Sequence, residues 1–263
     1  MARYVVEDDG IPGLTLALRL RLKGHDVSLV PGVDRHNPGE TFTLPAPYRD
    51  LFLKTGGPLE DSATLVQAPG HAAVVSGSTV TLPAVGPQSV AVTAAFGSAA
   101  GTQWAALMRD AAEVWSRLRT DDYRSTASLR RRVRRTLRDR RLHTLIEGYI
   151  EGFGLDPACI GDAAIVLPYL DQTFGRWTFA DGMEGFEQVL RSRCAEMGVR
   201  FSPDAGELLS LDAFWARQFA TPTPRWRKGA IAPVATHELG LPWIGMAAEF
   251  IADRVGRAPA TPR

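Results

Sequence analysis

The chain has 263 residues, 45% of them hydrophobic and 22% charged, an ordinary globular composition with room for one large domain or two modest ones. Its net charge of +1 supplies no overall field toward nucleic acid or a membrane surface. No apolar run is long enough to span a membrane; the most apolar stretch, Val90 to Ala100, is made of small residues broken by Thr93, Gly97 and Ser98. In chain order, Tyr4–Val6 reads as a short buried strand. Leu14, Leu16, Ala17, Leu18, Leu20 and Leu22 give an apolar helix that Gly24 ends, and Val27–Val30 reads as a second strand. Residues 31–60 are rich in Pro and Gly, with a short helix predicted over Pro47–Lys54. Residues 64–82 alternate apolar and small side chains and predict two or three short strands, with Ser76–Gly77–Ser78 as a hairpin turn. From about Gln88 to Phe153 three or so amphipathic helices are expected, then a loop over Asp156–Gly161 and an apolar stretch at Ile165–Leu170. Gly182–Met197 predicts a helix with Phe186, Val189, Leu190 and Met197 on one face, capped by Gly198, and Val199–Phe201 returns as a strand. Residues 203–236 are weakly patterned and hold four prolines, and Leu241–Val255 is a last helix.

The opening strand–helix–strand has the grammar of a dinucleotide-binding unit. A G-x-G-x-x-G turn would fall at positions 8, 10 and 13, and the chain has Asp8, Gly10 and Gly13 there. The acidic residue that holds ribose hydroxyls at the end of the second strand is replaced by Pro31. Gly10 and Gly13 still offer helix N-terminal amides to a phosphate. A tight strand-to-helix corner needs glycine whether or not a ligand binds. An Asp at the first glycine puts negative charge where a pyrophosphate belongs. Cys159 and Cys194 are isolated, with no CxxC and no His at metal-ligand spacing, so they read as reduced thiols in a cytoplasmic protein without a metal site. The first strand begins at the fourth residue, which leaves no room for a signal peptide.

Four segments together resemble the FAD-dependent amine oxidase superfamily, in particular its phytoene desaturase-like branch. They are the opening unit, then Thr43–Phe52 running on to Thr55–Asp61, then Pro168–Trp177 with Gly182–Leu190, and last Glu238–Arg257. The resemblance implies an α/β fold. A Rossmann-type FAD/NAD(P)-binding domain would form from residues 1–65 plus 181–263, and residues 66–180 would be a mainly helical inserted substrate domain. It implies FAD as cofactor, held by Gly10, Ile11, Gly13, Gly39, Gly240, Leu241 and Pro242, and an apolar polyene- or amine-type substrate oxidised or desaturated by hydride transfer to flavin. The chain departs from the family's pattern at Asp8 and Pro31. It also departs at Asn37–Pro38–Gly39, where paired glycines and a longer arm are usual, at Asp181–Gly182–Met183 and at His237–Gly240. The stretch before the last helix is much shorter than in the family, only about residues 203–236. These departures keep a second reading open: a shortened non-redox relative that acts as a binding partner or a non-redox scaffold.

Three further features lie outside that motif. The run from Arg130 to Arg141 is the strongest charge cluster, and Leu129, Val133, Leu137, Leu142 and Leu145 or Ile146 carry a helical apolar stripe through it. It reads as a buried stripe with a solvated arginine face, or as a peripheral contact with anionic lipid. Nucleic acid is disfavoured, because no aromatic residues are interleaved. Tyr169, Phe174, Trp177 and Phe179 are an aromatic group, either plain core or the lining of an apolar substrate cavity. Asp171, Glu184 and His71 are the acid/base groups nearest the motif segments. Their spacing implies no chemistry, so no catalytic residue is assigned.

Overall fold

The computed structural model describes residues 3–31, 40–119, 123, 125–153, 155–201, 207–209 and 241–256. They fall into two compact units. The first holds the chain up to Val66 and resumes at Trp177; the second holds Gln67–Arg176. The molecule is mixed helix and strand. No helix among the described residues is long and apolar enough to cross a membrane.

The first unit is built on a parallel sheet. Strand β1 (Arg3–Glu7) lies in the middle, paired with β2 (Asp26–Val30) on one side and β8 (Glu207–Leu209) on the other. The registers run Tyr4↔Val27 and Tyr4↔Glu207. Beyond β2 the backbone of Arg200 adds a further parallel bridge to Ser28. Leu29 N–H donates to the Arg200 carbonyl at 2.8 Å, and Arg200 N–H donates to the Val27 carbonyl at 3.1 Å. The sequence reads Val199–Phe201 as a returning strand; in the structure it lies beyond β2, one strand out from β1. The true second neighbour of β1 comes from the weakly patterned stretch. Three residues are too few to show a period, which is why β8 is invisible in the sequence.

Between β1 and β2 runs α1 (Ile11–Leu22), whose residues from Ile11 to Leu20 are all buried. It packs against α2 (Ala46–Thr55), α8 (Gly182–Glu196) and the last helix, α9 (Leu241–Val255). A helix apolar all round belongs inside a core. Its one deeply buried charge, Arg19, donates to Asp50 at 2.6 Å and to the Pro47 carbonyl at 2.9 Å. Helix α8 buries Phe186, Leu190 and Cys194, spaced four apart. Phe186 completes an aromatic column. Phe42 of β3 (Phe42–Thr43) stacks on Phe179 of β7 (Arg176–Phe179) at 5.0 Å, Phe179 stacks on Phe186 at 4.1 Å, and Tyr48 meets Phe186 edge-on at 5.2 Å. Of the aromatic group picked out in the sequence, Phe179 is therefore core, whereas Tyr169, Phe174 and Trp177 are half-buried. Strands β3 and β7 share a small sheet with β4 (Leu65–Gln67).

The second unit opens with a hairpin, β5 (His71–Val75) and β6 (Ser78–Leu82), closed by Ser76 and Gly77 at φ 52° and 80°. Positive φ at both turn residues matches the twist of the paired strands. Helices α3 (Gln88–Phe96) and α4 (Ser98–Leu118) follow, then α5 (Leu129–Thr136), α6 (Arg140–Glu151) and α7 (Val166–Phe174). Helix α4 buries Trp104, Leu107, Met108, Ala111, Trp115 and Leu118 at three- and four-residue spacing. The apolar stripe through the arginine run is buried throughout, but it does not lie on one helix. The backbone breaks at Leu137, which is extended, and restarts at Asp139, whose carboxylate caps α6 by accepting from Arg141 N–H at 2.9 Å. Gln103 of α4 takes up the amides freed by the break, its Oε1 accepting from Arg138 N–H at 2.7 Å and Asp139 N–H at 3.2 Å. Aspartate is a strong helix N-cap, and here its capping outweighs the continuous apolar period.

Candidate functional site

The corner between β1 and α1 is where a dinucleotide pyrophosphate would be held. Such a site needs helix N-terminal amides that are free and a backbone that can be approached. Gly13 meets the packing half of that requirement. A Cβ there would fall 1.8 Å from the Asp8 carbonyl oxygen, so only glycine lets α1 seat against the end of β1. Gly10 is less constrained, since a Cβ would come 3.1 Å from the Asp8 carboxylate.

The amides are another matter. The Asp8 carboxylate folds back over the start of α1. It accepts from Gly10 N–H at 2.7 Å through Oδ1 and from Gly13 N–H at 3.2 Å through Oδ2. Pro12 has no N–H to give, and Leu14 N–H is already bonded to the Gly10 carbonyl at 2.9 Å. The amides of Gly10, Gly13 and Leu14 at the start of α1 are thus engaged within the chain. A negative charge therefore already sits on the positive end of α1, supplied by the chain itself. The sequence casts Asp8 as a group that repels a phosphate. In the structure it takes the phosphate's place. The neighbouring residue is also tied down: Arg191 of α8 donates through Nη2 to the Asp9 carbonyl at 2.6 Å and lies 3.4 Å from its carboxylate.

The ribose position gives no compensation, because β2 is followed by Pro31, which is exposed and offers no side-chain acceptor. Gly39 and Gly240 lie outside the described residues. Leu241 and Pro242 begin α9, and their side chains are likewise outside the description. Further along α9, Trp243, Ile244, Ala247 and Ala248 are buried. A Cβ on Gly245 would lie 2.8 Å from the Pro47 Cβ and 3.4 Å from Tyr48. The small residue of that helix is thus used for close packing against α2. Of the residues that the family resemblance assigns to FAD, Gly10 and Gly13 do not fit a pyrophosphate as they stand, since Asp8 already holds their amides.

The second unit brings together two of the three acid/base candidates, which the sequence leaves scattered. Asp171 of α7 accepts from the Tyr149 hydroxyl of α6 at 2.5 Å, and the Nε of Arg176 lies 3.5 Å from the same carboxylate oxygen. His71 of β5 meets the Tyr149 ring edge-on at 4.9 Å. Arg176 also covers the rings of Tyr149 and Phe153, 5.8 and 5.5 Å from their centroids. Burial pushes the Asp171 carboxyl up against the opposing pull of Arg176. Burial, and then the Asp171 charge, holds the Tyr149 hydroxyl well above the usual phenol range. His71 is lowered by burial and by the nearby Arg176. Tyr149 is fully buried and Asp171 is 3% exposed, so their hydrogen bond lies within the core of the second unit. The group ties β5, α6, α7 and Arg176 together within the second unit. Glu184 sits exposed in the first turn of α8 in the first unit and takes no part. Tyr149 and Arg176 have no sequence signal; only the fold makes them neighbours. Among the described residues no three His, Cys, Asp or Glu side chains gather to hold a metal ion.

No protein-family model matches the chain, and no curated protein matches it. Solved structures resemble it weakly. An oxidoreductase from Methanosarcina mazei aligns at 14% identity and a TM-score of 0.48, over 79% of this chain and 51% of that one. Putrescine oxidase bound to putrescine aligns at 14% identity and a TM-score of 0.46, over 75% and 49%. Cyclohexylamine oxidase from Brevibacterium oxydans aligns at 15% identity and a TM-score of 0.43, over 77% and 51%. The chain spans about half the length of each of these proteins.

Proposed function

We propose that the chain is a non-redox relative of the flavin-dependent, amine oxidase-type oxidoreductases, with its dinucleotide-binding fold retained as a scaffold for binding a partner. The observation that carries this reading is the Asp8 carboxylate on the Gly10 and Gly13 amides. A pyrophosphate would have to displace a tethered anion and leave that carboxylate, half-buried, facing a second negative charge. Like charges at close range in a part-buried corner cost on the order of several kcal/mol.

A second reading is favoured by the retained strand–helix–strand geometry and by the close seat at Gly13. In that reading the chain is an FAD-dependent oxidoreductase acting on an apolar polyene- or amine-type substrate. The two separate in one measurement, the visible absorption of the purified protein followed by titration with FAD. The scaffold reading expects no flavin band and no saturable binding by the wild type. It also expects binding to be gained when Asp8→Gly frees the amides and Pro31→Glu restores a ribose acceptor, by about tenfold for each ~1.4 kcal/mol recovered. Stoichiometric FAD in the wild-type protein would overturn the scaffold reading and establish the second.

A further inference from the structure

The arginine run resolves into two populations. Arg130 donates to Glu147 at 2.9 Å, Arg132 to Asp110 at 2.7 Å and Arg141 to Asp139 at 2.7 Å, and Arg134 lies 3.5 Å from Glu147. Arg131, Arg135, Arg138 and Arg140 are exposed, and among the described residues no carboxylate pairs with any of them. Three of these four, Arg135, Arg138 and Arg140, line one groove of about 930 Å³ between α5 and α6. That volume is in the range of ligand-binding clefts.

Helix electrostatics account for only part of this. Arg135 lies in the last turn of α5, where a cation is favoured by the helix dipole. Arg138 stands in the linker, and Arg140 stands at the first position of α6, where a cation opposes the dipole. The carboxylates of the lining are Glu147, held by Arg130 and Arg134, and Glu151, so three exposed guanidiniums face one concavity with a net positive charge.

We propose that this groove docks an acidic peptide segment of a partner protein. Charge complementarity selects an anion, and the lining selects the kind. The groove is concave and presents no exposed large apolar side chain, so it suits a narrow chain better than a flat lipid surface. Its lining holds no Phe, Tyr or Trp, and its one imidazole, His143, is engaged with the Leu137 carbonyl at 2.9 Å, so it offers no run of rings on which successive bases could stack. Its lining also includes Glu151, which is exposed. A uniform phosphate backbone would meet only repulsion there, whereas a peptide brings backbone N–H groups that donate to it. Arginine pairs with carboxylates in a two-pronged geometry that lysine cannot match, which suits carboxylate side chains spaced along a chain. The proposal concerns the second unit alone and stands whether or not the first unit takes a flavin.

The test is fluorescence anisotropy on the full chain, with a short fluorescein-labelled peptide of repeating Glu-Glu-Gly as the probe. Saturable binding is expected, weakening on the order of tenfold in the triple variant Arg135→Gln, Arg138→Gln, Arg140→Gln, and weakening with added salt. Arg131→Gln removes the same type of charge outside the groove and is expected to stay within about twofold of the wild type. If the triple variant loses its helical circular dichroism, the single variants Arg138→Gln and Arg140→Gln carry the comparison. The proposal falls if the wild type does not bind the peptide, or if Arg131→Gln weakens binding as much as the groove variants do. It falls equally if a single-stranded oligonucleotide or a phosphatidylserine vesicle binds more tightly than the peptide at physiological salt.

Discussion

At the scale of single residues, Asp8 and Gly13 work as a pair, and each can be probed alone. Asp8→Ala removes the acceptor from two N-terminal amides of α1. A lost helix cap costs about 1 kcal/mol, within a range of ~0.5–2 kcal/mol. Asp8→Asn keeps an oxygen acceptor, so urea denaturation should place it between the alanine variant and the wild type. An alanine variant as stable as the wild type would mean that the carboxylate is not capping α1. Gly13→Ala is harsher. Its methyl would meet a backbone carbonyl, which cannot swing aside as a side chain can. Overpacking of this kind costs about 1–3 kcal/mol or more. His71 supplies a test by pH. Its folded-state pKa lies below the ordinary histidine value, so folding favours the neutral ring. The stability tied to that ring is complete above pH ~6.5 and is lost as pH falls toward the lowered folded value. Unfolding curves at pH 7 and pH 5 should therefore diverge more for the wild type than for His71→Gln. Equal losses in the two proteins would remove His71 from the account.

At the scale of elements, the arginine-rich helix shows that neighbours in sequence can have opposite roles. Arg131 is exposed, whereas Arg132 is largely covered and bonded to Asp110 and to the Tyr123 hydroxyl, both at 2.7 Å. Arg132→Ala should cost about 1.5–3 kcal/mol, because charge-assisted hydrogen bonds and packing go together. Arg131→Ala should stay within ~0.5 kcal/mol of the wild type. Thermal melts of the two variants decide the matter, and similar shifts would contradict the assignment. Elements with a clear apolar pattern and punctuation are legible in the sequence: α1 as a continuous apolar run between its two strands, the hairpin at Ser76–Gly77, α8 with Gly198 behind it, and α9. What was not legible depends on tertiary partners. The break at Leu137 needs Gln103 to accept the freed amides, and Gln103 is a full helix away in sequence. The three residues of β8 carry no pattern. In the candidate corner the positions were legible but the role of Asp8 was not, because a substitution read against a motif shows what is lost and not which hydrogen bonds replace it.

At the scale of the whole molecule, the two units have separate cores: the aromatic column at Phe186 in one, and the Trp104–Trp115 face with Tyr149 in the other. Chains of this kind often depart from a single two-state transition. Calorimetry should resolve two components. Gly13→Ala should lower one of them. Tyr149→Phe, which leaves the buried Asp171 short of a donor, should lower the other by about 1–3 kcal/mol. A single sharp transition that shifts as a whole with either variant would mean that the units unfold as one. The Asp8 cap has a consequence for the life of the protein in a cell. A protein that depends on a diffusible cofactor is only as stable as its supply allows, gaining about 2.7 kcal/mol when the ligand is a hundredfold above its Kd and nothing when it is scarce. Here the anion on α1 is part of the same chain, five residues from the Gly13 amide it holds. It is present from synthesis onward and cannot be diluted, depleted or competed away by metabolism. If the scaffold reading holds, the folded fraction of this chain is independent of flavin supply, and its melting temperature should be the same with and without added FAD.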